Sequence, residues 1–210
     1  VDSAELQTAI ESERLRLADV LEQLAPEEWD VETLCTGWTV KTLVAHLTLT
    51  SRITRLEALR GVVAARFDIN AFIDRAARAR AAQYSPAELI TQFRESAGWT
   101  QRPMGAKPTD PLVDILTHGQ DLTRPLRRTL PMSPERVVPA LDFVLSTSFY
   151  GAPKRMAGLR LVATDIDWTS GDGDHELRGP IGDLLLASTG RPAGLAALDG
   201  PGVADLAARL

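Results

Sequence analysis

A chain of 210 residues that is 44% hydrophobic and 24% charged has the make-up of a globular protein able to bury a sizeable core, in one domain or two. Its net charge of −5, with no long Lys/Arg cluster, argues against nucleic acid as the main partner. No apolar run approaches the roughly 20 residues of a membrane span, the polar start Val1-Asp2-Ser3-Ala4-Glu5 does not read as a signal peptide, and the single Cys35 excludes an internal disulfide framework, so a reducing cytoplasm is the expected setting.

Residues 3–24 carry Leu6, Ile10, Leu17, Val20, Leu21 and Leu24 at spacings that suit one face of an amphipathic helix, which Ala25-Pro26 should end. A loop with Trp29, Cys35, Gly37 and Trp38 follows. Thr39 can cap a second helix whose early stripe is Val40, Leu43, Val44 and Leu47, with Gly61 near its end. A third helix is expected over about 69–82. Ser85-Pro86-Ala87-Glu88 is a capping sequence for a fourth, through Leu89, Ile90 and Phe93 to near Trp99. Residues 102–110, with Pro103, Gly105 and Pro108, read as a loop. Asp110 as N-cap and Pro111 at the first helical position then start a helix over 111–127.

Beyond residues 127–133 the pattern changes. Ser133-Pro134-Glu135 starts another helix, 159–168 is β-like, residues 170–174 form a turn, and 175–178 can be the returning strand. A helix over 180–189 should end at Gly190, and a short one is expected over 203–210. The economical reading is mostly α: a helical bundle over residues 1–130 followed by a small α+β domain over 131–210.

Only three histidines occur, His46, His118 and His175. Asp114 and His118 stand four apart, so their side chains emerge one above the other, and a carboxylate and an imidazole so placed can hold one metal ion if another helix supplies a further ligand. His46 is the candidate. On a helical wheel His46 and His118 each fall at roughly 100° from the centre of the apolar stripe, a shoulder that can face a crevice between helices or lie half-exposed at the surface. Two imidazoles and one carboxylate would leave positions for water or substrate; zinc suits such a set first, and nickel, iron or manganese can also be held. Asp121, one turn past His118, can accept the imidazole N–H from behind, serve as an alternative ligand, or be a solvated helix-end acid. Cys35 could be a nucleophile, but no partner is identifiable in the sequence, so a packed or bystander thiol is the preferred reading. Asp165, Asp167 and Glu176 match positions 1, 3 and 12 of a calcium-loop template, but the turn glycine is missing and the flanks are strand-like, so that reading is rejected.

Leu34-Cys35-Thr36-Gly37-Trp38-Thr39-Val40 with His46 six residues on, then Asp114-x-x-x-His118-Gly119-Gln120-Asp121, Ala163 through Thr169, and Leu186 through Thr189-Gly190-Arg191 together resemble the mycothiol-dependent maleylpyruvate isomerase family. The resemblance implies a DinB-like four-helix metalloenzyme bundle followed by a small C-terminal domain. The family's metal triad, a His and then Glu-x-x-x-His, falls on His46, Asp114 and His118; Asp114 departs from the family's Glu by one methylene. The implied cofactors are a divalent metal and mycothiol or a similar low-molecular-weight thiol, bound as thiolate. In the isomerase reaction the thiolate adds to a cis double bond, the bond rotates, and elimination gives the trans product; a transferase would stop at the adduct or displace a leaving group. The expected partners are therefore that thiol and a small, anionic substrate. Arg191 is the candidate anchor in the second domain, and Arg52, Arg55, Arg75, Arg78 and Arg80 are available in the bundle. A metal-dependent hydrolase acting through hydroxide and a non-catalytic binding module on a degenerate bundle are the alternative expectations.

Overall fold

The computed structural model describes residues 2–102 and 105–210, apart from the side chains of Thr50 and Arg55. Pro103 and Met104 of the expected 102–110 loop lie outside the described residues. Two compact units form, one comprising Asp2–Pro111 with His118–Leu130, the other Leu112–Thr117 with Pro131–Leu210. No helix among the described residues is long and apolar enough to cross a membrane.

The first unit is a helical bundle. Helix α1 (Ser3–Leu21) buries Leu6, Ile10, Leu17 and Leu21, the stripe its periodicity predicts. A 3-10 turn over Pro26–Asp30 buries Trp29. The single helix expected from Thr39 to Gly61 is three pieces: α2 (Val40–Leu47), α3 (Leu49–Arg52) and α4 (Arg55–Ala64). The hydroxyl of Thr48 turns back to the Ala45 carbonyl (2.8 Å), and Ile53 is extended. Thr54 and Glu57 then form a reciprocal capping box, with the Thr54 hydroxyl accepting the Glu57 N–H at 3.2 Å and the Glu57 carboxylate accepting the Thr54 N–H at 2.8 Å. That local start signal outweighs the longer apolar periodicity.

Helix α5 (Ile69–Gln83) lies against α2 through small residues, Ala77 and Ala81. Helix α6 (Pro86–Glu95) starts at the predicted Ser85 cap and buries Leu89 and Phe93, packing on α1 and α2. Helix α7 (Asp110–Thr123) is continuous. Asp110 is its first residue rather than its cap: the N-cap is Thr109, and the Asp110 carboxylate accepts the Lys107 N–H at 2.6 Å. The helix stops at Thr123 instead of running to 127, because the Arg128 N–H bonds back to the Thr123 carbonyl around Arg127, whose φ is 54°.

In the second unit α8 (Pro134–Ser146) packs on α10 (Ile181–Ser188), every residue of which is buried, around Val137, Leu141, Val144, Leu184 and Leu185. A short α9 (Ala152–Arg155) leads into β1 (Leu159–Ala163), which buries Leu159, Leu161 and Ala163 on one face. The sheet order is β2-β1-β3, with β2 (Thr169–Ser170) antiparallel to β1. The expected returning strand is corrected here: β3 (His175–Gly179) runs parallel to β1, pairing Leu161 with Leu177. The cause is the 171–173 loop, which crosses the start of β1 so closely that a Cβ at Gly173 would stand 2.0 Å from the Gly158 carbonyl oxygen. Only glycine lets the chain pass there and begin β3 beside Leu159. Asp165 accepts the Ile181 N–H at 2.9 Å and so begins α10, and α11 (Gly202–Ala207) lies on β3.

Candidate metal centre

Helix α2 carries His46 and α7 carries Asp114 and His118. Three buried residues on α2, Leu43, Val44 and Ala45, fix the roll of that helix and turn His46 to its half-buried shoulder. On α7 the buried Leu112, Val113, Ile115 and Leu116 do the same for Asp114 and His118. The His46 and His118 rings meet edge to face, 5.2 Å between centroids at 80°. One ligand atom each from His46, Asp114 and His118 lies within 4.8 Å of the others. Ligand atoms in a tetrahedral site with bonds of about 2.1 Å stand roughly 3.4 Å apart, so small side-chain rotations suffice to close the set on an ion. The Asp114 carboxylate, one methylene shorter than a Glu, lies within that 4.8 Å span.

Behind His118 sits a second group. Asp121, 1% exposed, places Oδ2 2.9 Å from His118 Nδ1, and the Cys35 thiol donates to the same oxygen at 3.3 Å. Cys35 Sγ is also 3.7 Å from His118 Nδ1. A buried carboxylate is an acceptor only, so it favours the tautomer in which Nδ1–H donates and Nε2 keeps its lone pair for a ligand. Cys35, His118 and Asp121 also lie close enough to form a ligand set themselves. That set would need Nδ1 deprotonated, against the Asp121 contact. The Cys35 loop is held by the Leu34 N–H on the Asp121 carbonyl (3.0 Å) and by Thr33, whose hydroxyl accepts the Cys35 N–H (3.2 Å) and donates to the Trp38 carbonyl (2.9 Å). Sequence reading missed this role of Cys35; the nearest signal was its place in the Leu34-to-Val40 motif.

The Trp38 ring also lies 5.2 Å from the His46 ring, centroid to centroid, tilted by 52°. Trp38 Nε1–H donates to Asp74 on α5 at 2.7 Å, and Arg78 Nε donates to both oxygens of that carboxylate at 2.9 and 3.1 Å. The indole N–H first, and then Arg78, hold the Asp74 carboxyl below the usual carboxylate range. Arg78 also donates to the Gly37 carbonyl at 2.9 Å.

Of the arginines considered as anchors, Arg52 pairs with Glu95, Arg75 bonds the Ala71 carbonyl of its own helix, and Arg80 donates to Thr48 at 3.0 Å and lies 4.8 Å over the Tyr84 ring. Arg191 lies in the second unit, half-buried before the 3-10 turn Pro192–Ala197. The Arg55 side chain is outside the described residues.

The model of the mycothiol maleylpyruvate isomerase N-terminal domain matches residues 10–132, a stretch that holds His46, Asp114, His118, Asp121 and Cys35. No curated protein matches this chain. Among solved structures, one of the mycothiol-dependent maleylpyruvate isomerase superposes over 96% of this chain and 93% of its own with a TM-score of 0.65 at 13% identity. A histidine-to-alanine mutant of such an isomerase covers the same shares with a TM-score of 0.55 at 14% identity. At that identity the likeness is one of fold.

Proposed function

For a chain that belongs to the mycothiol maleylpyruvate isomerase N-terminal domain family, we propose a thiol-dependent metalloenzyme, an isomerase or S-transferase acting on a small anionic electrophile, with mycothiol or a similar thiol as co-substrate. The observation that carries this reading is the convergence of one donor atom each from His46, Asp114 and His118 within 4.8 Å, from two helices that the matched region contains. Two imidazoles and one carboxylate suit zinc, and nickel, iron or manganese could be held by the same groups.

A divalent cation held there would supply Lewis acidity, favouring the thiolate form of a thiol brought to it. The chain's own residues do the rest. Asp121 accepts a hydrogen bond from His118 Nδ1–H, which leaves the Nε2 lone pair for the ligand set. Cys35 braces the Asp121 carboxylate from the loop before α2. Arg191 is the proposed anchor for a substrate carboxylate, on the bidentate chemistry of the guanidinium.

Metal analysis of the purified chain under replete conditions, with His46→Ala and His118→Ala alongside, tests the site. One equivalent of divalent metal in the wild type and much less in both variants is expected; a wild type without stoichiometric metal sinks the proposal. Turnover strictly dependent on added thiol supports the thiol reading over hydrolysis, and thiol-independent turnover would reverse that order.

A further inference from the structure

We infer that Trp38 is a positioning residue for His46 and is itself set in place by Asp74 and Arg78. The inference rests on the metal-site reading for its functional consequence alone. An imidazole has a broad χ2 well, and a ligand held for metal binding must stay within about 10–20° of its productive orientation. His46 meets an aromatic ring at 5.2 Å on each of two contacts, Trp38 tilted by 52° and His118 edge-on at 80°. The indole therefore limits the rotation of the His46 ring.

The indole is fixed by a closed circuit. Its Nε1–H donates to Asp74 at 2.7 Å, Asp74 receives Arg78 at 2.9 and 3.1 Å, and Arg78 returns to the Gly37 carbonyl at 2.9 Å, one residue before Trp38. Gly37 has φ +75°, and a Cβ there would make only ordinary contact with Arg78 (3.6 Å), so glycine is required for its backbone conformation. The Arg78 and Asp74 side chains are 51% and 41% exposed, so their attraction is screened and adds little to stability. What the circuit provides is direction: the indole N–H has one acceptor, on a different helix from His46, and that acceptor is held from behind.

The test reads His46 with and without metal. In the metal-free protein the His46 Cε1–H resonance, assigned through His46→Asn, is expected to carry a ring-current displacement from the indole that Trp38→Leu abolishes. Asp74→Ala should move it and Asp74→Asn, which keeps an oxygen acceptor, should largely restore it. Leu17→Ala, a core change elsewhere in the bundle, should lower the melting temperature and leave the resonance in place, which separates positioning from general loosening. Cobalt affinity, read from the visible spectrum, should weaken about tenfold in Trp38→Leu and Asp74→Ala. Unchanged His46 resonances and cobalt spectra in those two variants overturn the inference and leave the metal reading standing. A wild type that binds no cobalt while its His46 resonance still responds removes the metal reading and leaves the positioning intact.

Discussion

Asp121 holds two donors at once, the His118 imidazole at 2.9 Å and the Cys35 thiol at 3.3 Å, with 1% of its surface exposed. Asp121→Asn keeps an acceptor oxygen but loses the charge that polarises the imidazole. It is expected to weaken divalent-metal affinity by about tenfold, measured by calorimetric titration. Asp114→Ala should cost more, because it removes a proposed ligand, whereas Asp114→Glu, the residue that the resemblance leads one to expect there, should bind at least as tightly as the wild type. Tighter or equal binding by Asp114→Ala would show that the carboxylate does not ligate. At this scale the sequence displayed Asp114 and His118 as a pair, since helical spacing alone puts them on one face. It could not display Cys35, whose contacts with His118 and Asp121 span 83 and 86 residues and leave no local trace.

Among the elements, α1 was legible from its apolar stripe alone and α6 from its stripe and its cap together. Ser85 and Glu88 cap α6 reciprocally, with the Glu88 carboxylate accepting the Ser85 N–H at 2.7 Å. Ser85→Ala should lower unfolding free energy by about 1 kcal/mol in urea titration. Loss of Phe93 from the same helix, as Phe93→Ala, should cost roughly 3–5 kcal/mol, since that ring is fully buried. The 39–61 segment misled because its apolar spacing runs on through two points where Thr48 and Thr54 bond the backbone locally. The direction of β3 was hidden for a different reason. Two strands with a polar turn between them read as a hairpin, and only the tertiary approach of Gly173 to Gly158 sends the chain back to the start of β1.

For the whole molecule, two conditions should move stability. A divalent cation at a hundredfold its Kd stabilises the folded state by about 2.7 kcal/mol, which for a chain of this size raises Tm by about 5–10 °C; scanning calorimetry should show the shift in the wild type and lose it in His46→Ala. The second condition is acid. Glu28 is held below the usual range by Arg128, Asp74 by Trp38, Glu88 by Ser85 and Asp205 by His175. A lowered carboxyl binds fewer protons folded than unfolded, so its contribution is present above the ordinary carboxylate range and disappears as pH falls through the lowered value. The urea midpoint should therefore be flat above about pH 5 and drop below about pH 4. Arg128→Gln should make the drop shallower, because Glu28 then titrates nearer its ordinary value.

Cys35 is the chain's one sulfhydryl, half-buried in a loop tied to α7 by the Leu34 N–H. A chromophoric disulfide reagent can therefore label the protein at a single position, with no competing site to subtract. The thiol's contacts with Asp121 and His118 on α7 slow labelling to the extent that the 31–38 loop stays seated, so the rate, compared with that of the denatured chain, sets a lower limit on the free energy of lifting that loop. The same measurement repeated in Leu17→Ala would say whether the loop opens alone or only with the bundle: an unchanged rate means a private hinge, and a faster one means a shared unfolding event.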